Sequence, residues 1–299
     1  MSETDESAGA PASRFVDVGG ARLHVLDAGG GGTPAVLLPG LGQSAHVFRG
    51  LMAALGGGVR AVAVTPRGHG ESDTPDDGYS LAGFAADVLA TMDALGIGRA
   101  ALVGHSMGGA VATRLAADHP DRVSHVVYLD SLADYAGIGR IQAKSPVRAP
   151  VIPPGAGDAA EREAQRLYAY GTWNEAAEAD WRARPSPAVR AQRRELLVEL
   201  LDDALSSLEP FSSLRCPALA LMAGESVDAV FPWLERDDPR RPAAEAYLRD
   251  VRGPWRHASA ERFRREAPHA RVMEIPGNHF FFLADPERTA AAIRDFLLS

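Results

Sequence analysis

Short, valine-rich apolar runs alternating with helical stretches constrain this chain more than any other feature of its sequence. Residues 35–38, 59–64, 100–103 and 123–129 are each 4–8 residues long and bounded by Gly, Pro or charged residues. Runs of that length read as strands buried on both faces, as in a parallel sheet. Between them, residues 81–95 place Leu81, Phe84, Ala85, Val88, Leu89, Met92 and Leu95 on one helical stripe, with Ser80 as an N-cap and Gly96 as a stop. Strand, helix, strand in alternation predicts a parallel sheet covered by helices on both sides. Residues 15–18 and 22–26 alternate about Gly19-Gly20 and predict a hairpin at one sheet edge.

The alternation breaks after Asp130. Residues 131–210 hold Ala-, Pro- and Gly-rich loops and charged helical segments with no strand-like run. Strand character returns at 217–223 and again at 270–275, and a Pro-initiated helix at 286–298 closes the chain. The expected organisation is a leader at 1–13, an α/β core formed by 14–130 and 211–299, and a helical cap inserted at 131–210. In open α/β sheets, ligands bind at the C-terminal edges of the strands, where such a cap would lie.

Composition narrows the function. The 299 residues carry a formal net charge of −8, and the arginines between Arg236 and Arg265 are interleaved with acids, so they read as a solvated helical surface. A nucleic-acid partner is therefore not expected. No apolar run approaches the ~20 residues of a membrane span. The first 13 residues lack the basic and apolar regions of a signal peptide. A cytoplasmic protein is expected. The single cysteine, Cys216, excludes an intramolecular disulfide.

The chemistry centres on Gly104-His105-Ser106-Met107-Gly108, a G-x-S-x-G pattern placed directly after one strand and before a helix. A serine on that turn projects its hydroxyl above the sheet only if the residues two before and two after are small, and both are glycine. A nucleophilic serine needs a base, and imidazole titrates near neutrality. His279 follows the last strand on a loop at the same sheet edge. His105 is expected to point into the turn, and His69 to be architectural.

These motifs resemble those of the α/β-hydrolase superfamily along nearly the whole chain, in the order Ser, acid, His. Further likenesses are Leu38-Pro39-Gly40-Leu41 at the oxyanion loop, Pro66-Arg67-Gly68-His69-Gly70-Glu71-Ser72 after the next strand, and Cys216-Pro217. Pro39 and Thr65 depart from the His and Asp common at their positions. The resemblance implies oxyanion donors at the Leu41 and Met107 N–H groups. It leaves the acid open. Asp130 ends the strand before the cap, as in a bacterial subgroup with Tyr-Leu-Asp there, whereas Asp228 or Glu225 lies near the more usual position after the next strand. Asp130 is the favoured acid and Asp228 the alternative. The implied activity is hydrolysis of an ester, lactone or related small-molecule acyl substrate through an acyl-enzyme on Ser106, with no metal or other cofactor. A lyase, a perhydrolase or cofactor-independent oxygenase, a cyclase, or a non-catalytic binding relic remain open on the same fold. Tyr168, Tyr170, Trp173 and Trp181 are candidate cap residues lining the pocket, and Phe280, Phe281 and Phe282 could wall it or pack beneath it.

Overall fold

The computed structural model describes residues 10–132, 135–148, 157–169, 173–192 and 210–299. Eight strands form one sheet in the order β1-β2-β4-β3-β5-β6-β7-β8. They are β1 (Ala12–Val18), β2 (Ala21–Asp27), β3 (Thr33–Leu38), β4 (Val59–Val64), β5 (Ala100–His105), β6 (Val123–Leu129), β7 (Ala218–Gly224) and β8 (Arg271–Pro276). β1 pairs antiparallel with β2, and β2 antiparallel with β4; all remaining pairings are parallel. Every strand expected from the apolar runs is present. The hairpin extends further back than the predicted leader allowed. β1 starts at Ala12, because Ser13 pairs with Leu26 and its hydroxyl meets His24 Nε2 at 3.0 Å.

The inner parallel strands, β3 to β7, are apolar on both sides because both sides are covered, whereas the edge strand β8 is largely exposed. Along β5, Ala100 and Leu102 face one core, while Ala101 and Val103 face the other. β6 splits in the same way, with Val126 and Tyr128 opposite Val127 and Leu129. The first core is closed by α2 (Leu81–Ala94), α3 (Met107–Asp118) and Phe263 of the helix Gly253–Glu266. The second is closed by α1 (Arg49–Leu55), Phe281, Phe282 and the final helix Pro286–Leu297. Ser80 is the N-cap that the sequence predicts, its Oγ accepting from Gly83 N–H, and the Pro-initiated last helix is capped by Asp285, whose Oδ1 accepts from Arg288 N–H.

Between β6 and β7, the regular elements among the described residues are all helical: Tyr135–Ala143, Gly157–Ala164, Gln165–Ala169, Glu175–Ala183, Pro187–Gln192 and the short Phe211–Ser213. Polar contacts from two residues, Asp180 and Asn174, tie this insertion to the sheet edge. Asp180 Oδ1 accepts from both the N–H (2.6 Å) and the hydroxyl (2.7 Å) of Ser44, and Asn174 Nδ2 donates to the Leu283 carbonyl at 2.7 Å. Val147 joins Val227, Phe231, Leu234 and Tyr247 in a small separate core. No described helix is long and apolar enough to cross a membrane.

Candidate active site

Ser106 lies between the end of β5 and the start of α3, with φ of 50° and ψ of −124°. That conformation is strained for a residue with a side chain, and such strain persists where surrounding structure enforces it. Close packing enforces it here. A Cβ on Gly104 would run into the Gly108 carbonyl, and one on Gly108 into the carbonyl of Leu38 at the end of β3. The Ser106 N–H donates to the Leu129 carbonyl at 3.2 Å, and the Ser131 hydroxyl donates to the Ser106 carbonyl.

Leu41 and Met107, the two candidate oxyanion donors, line one small cavity beside this turn. Met107 opens α3, so its N–H belongs to the first helical turn and has no intrahelical acceptor. Among the described residues, neither it nor the Leu41 N–H forms a hydrogen bond. Gln43 shapes the Leu41 loop: its Oε1 accepts from Gly40 N–H at 3.0 Å and lies 2.9 Å from His105 Nδ1. Nothing in the sequence singled out Gln43, since its contacts depend on a loop curling back on itself and on a strand 62 residues away.

His279 stands on the loop after β8, and its Nδ1 donates to Asp130 Oδ2 at 2.8 Å. Asp130 is 8% exposed and sits just beyond β6 with a φ of 48°. Its other oxygen, Oδ1, accepts from Ala223 N–H at 3.0 Å and from Arg256 Nη2 at 2.7 Å. Burial alone would raise the Asp130 titration. The Arg256 charge, followed by the His279 hydrogen bond, overrides it and holds the carboxyl well below the usual carboxylate range. This environment favours the anionic form of Asp130. Asp228 lies elsewhere: its side chain is largely exposed and paired with Arg241 at 2.7 Å. The Glu225 side chain is buried and engaged by Arg252 through two bonds of 2.6 and 2.7 Å.

His105 points into the turn, as expected, and braces the His279 loop. Its Nε2 lies 3.0 Å from the His279 carbonyl, and its ring centroid is 4.5 Å from that of His279. Complete burial, reinforced by the neighbouring His279, pushes its titration well below the ordinary imidazole value. No hydrogen bond joins the Ser106 hydroxyl to His279 among the described residues, and contacts of this kind commonly tighten only around a substrate. Phe280 flanks both histidine rings, whereas Phe281 and Phe282 pack in the core beneath. Trp173 and Trp181 stack edge to face on the insertion. The side chains of Tyr168 and Tyr170 lie outside the described residues.

One other cluster has donors suited to a metal. Atoms of His24, His46 and Glu71 lie within 4.8 Å of one another. Their hydrogen bonding does not fit a cation. Arg49 Nε donates to His46 Nδ1 at 2.8 Å, which leaves the ring proton on Nε2, where it meets Glu71 Oε1 at 2.7 Å. Ligation through Nε2 would need that proton on the opposite nitrogen.

A family model for the alpha/beta hydrolase fold matches residues 33–177. Over 276 residues, covering 88% of this chain and 89% of the other, the sequence is 30% identical to the Caulobacter sp. (strain K31) protein named "Putative carbamate hydrolase RutD". It is 40% identical over 119 residues to 2-(acetamidomethylene)succinate hydrolase of Mesorhizobium japonicum, a match spanning 40% of this chain and 42% of that protein. The chain spans about two fifths of the length of several such curated relatives. The crystal structure of E-2-(acetamidomethylene)succinate hydrolase superposes with a TM-score of 0.66 at 25% identity, covering 97% of this chain and 100% of that one. The chain belongs to the α/β-hydrolase family. The relatives named here are hydrolases.

Proposed function

We propose that this protein is a serine hydrolase that cleaves an ester, lactone or related acyl substrate through an acyl-enzyme on Ser106. The observation that carries the reading is the Asp130–His279 hydrogen bond at the sheet edge where Ser106 stands on its strained turn. In this mechanism Ser106 Oγ attacks the substrate carbonyl carbon and His279 Nε2 takes the hydroxyl proton. Asp130 keeps the His279 proton on Nδ1 and stabilises the imidazolium that forms. The Leu41 and Met107 N–H groups receive the charge that develops on the carbonyl oxygen. Collapse of the tetrahedral species expels the alcohol, which takes its proton from His279. Water, deprotonated by the same ring, then attacks the acyl-enzyme, and Ser106 leaves with its proton restored. The helical insertion serves as a cap over the pocket, anchored through Asp180 and Asn174.

The test needs no known substrate. A fluorophosphonate probe should label the wild-type protein at Ser106. Ser106→Ala should abolish labelling and lower turnover of p-nitrophenyl esters and lactones by roughly 10⁴-fold or more while the fold is retained. Equal labelling of the variant would overturn the assignment.

A further inference from the structure

Arg256 makes the contact for which the acid–base pair alone gives no reason. It lies one turn into the helix Gly253–Glu266, and its side chain is only 14% exposed. Its Nη2 donates both to Asp130 Oδ1 (2.7 Å) and to the Ala223 carbonyl (2.9 Å), which locks the guanidinium to the end of β7. Behind it, Nη1 lies 3.4 Å from Glu225 Oε1, and Glu225 is itself gripped by Arg252. Charges of alternating sign thus run Arg252, Glu225, Arg256, Asp130, ending at His279. A guanidinium buried this far costs much desolvation, and that cost is met only by well-formed partners.

We propose that Arg256 is a positioning residue for the Asp130–His279 pair, fixing where the carboxylate points and offsetting part of its charge. The inference rests on His279 acting as the base. Its first half is geometric. Arg256 Nη2 and the Ala223 N–H occupy Oδ1, while Arg256 Nη1 reaches Oδ2 only at 3.4 Å, so the fork straddles the carboxylate and Oδ2 is the oxygen with room for a short bond to the imidazole. Its second half is electrostatic. A bare buried carboxylate would stabilise the imidazolium strongly and hold His279 in the protonated form, which cannot accept a proton from Ser106. A cation on the far side of the carboxylate weakens that pull and keeps the ring available at lower pH.

The groups acting on the pair come from every neighbouring element. His105 of β5 faces the His279 ring, Asp130 follows β6, and Glu225 follows β7. Arg252 and Arg256 approach from the helical side. His257, Arg264 and Glu274 line an adjoining cavity of about 450 Å³, on which Arg256 and Glu225 also border.

Arg256→Met keeps the stem and deletes the charge. In this variant the acid limb of the pH profile, read as ester kcat/KM or fluorophosphonate labelling rate between about pH 5 and 9, should move up by about one pH unit. The plateau rate should fall about tenfold as the carboxylate loses its fixed orientation. Arg256→Lys should return the limb towards wild type, because charge is restored, with only partial recovery of rate, because an ammonium lacks the fork. Glu225→Gln frees Arg256 to act more fully on Asp130, so its limb should move down. It also serves as the test if Arg256→Met does not fold. An unmoved limb in both variants, or shifts of the opposite sign, would overturn the proposal. Proton NMR of the His279 ring in the same variants reads the coupling without turnover. Ring titration that shifts as expected in a protein whose Ser106 takes no fluorophosphonate would refute the hydrolase reading and leave the positioning role standing.

Discussion

Replacing Asp130 by asparagine changes one atom, and the surroundings dictate how the new amide sits. Oδ1 receives two donors, Ala223 N–H and Arg256 Nη2. An asparagine must keep its carbonyl oxygen there, because an NH₂ group would face two N–H groups. Its NH₂ is then directed at His279 Nδ1, the position that Oδ2 holds at 2.8 Å. A donor at that position forces the ring proton onto Nε2, the nitrogen required to accept from Ser106. The base is thereby lost with little change of shape. Turnover and the second-order rate of fluorophosphonate labelling should fall about 10⁴-fold, or about 5.5 kcal/mol at ~1.36 kcal/mol per decade. Stability should also drop. Removing one partner of a buried ion pair costs about 3–5 kcal/mol. Glu225 remains 3.4 Å from Arg256 and retains part of the compensation, so about 2–3 kcal/mol is expected in urea denaturation. Asp228→Asn is the matched control: its exposed pair with Arg241 is worth at most about 1 kcal/mol, and labelling should stay within about twofold. Loss of labelling in the Asp228 variant, with Asp130→Asn near normal, would refute the reasoning.

The depressed Asp130 titration also predicts acid sensitivity. Its contribution to stability is complete above the ordinary carboxyl value of 3.8 and is lost as pH falls through the lower folded-state value. Denaturation midpoints of wild type and Asp130→Asn should therefore converge below about pH 4; a constant gap down to low pH would count against the coupling. Gly108→Ala should push a methyl into the Leu38 carbonyl, costing about 1–3 kcal/mol in denaturation. It should also slow labelling by about 10²-fold by displacing the Met107 N–H; labelling at the wild-type rate would show that the turn tolerates the crowding.

Most of the fold was legible because a two-sided sheet leaves a coarse trace. β3 to β7 are largely apolar runs of six or seven residues, and a strand buried on both faces suits such runs at these spacings; the edge strand β8 is largely exposed, with only Ile275 buried. Ser106 was legible for a related reason: glycines two before and two after it are a steric demand written into nearby positions. The acid was not, since whether Asp130, Glu225 or Asp228 reaches His279 depends on how two loops bend after their strands. The structure answers geometrically, placing Asp130 on His279 and the other two on arginines. The arginine-rich stretch was misjudged in part. Interleaved charge describes the exposed Arg240 and Arg249 well, yet Arg252 and Arg256 of the same stretch turn inward to buried carboxylates. Composition cannot separate the two faces of a helix when both carry the same residue type.

Ser106, Asp130 and His279 sit on the ends of β5, β6 and β8, and none of them lies within the helical insertion. The insertion meets this edge through a few anchors such as Asp180 on Ser44 and Asn174 on the Leu283 carbonyl. Under the proposed function, reactivity and recognition are therefore inherited through separate stretches of the gene. On that proposal, substitutions between residues 132 and 210 should revise which molecules are admitted while the reactive groups keep their spacing; Ser131, whose hydroxyl donates to the Ser106 carbonyl, stays with the reactive groups. A library confined to that stretch would sample new selectivities on an unchanged chemical engine.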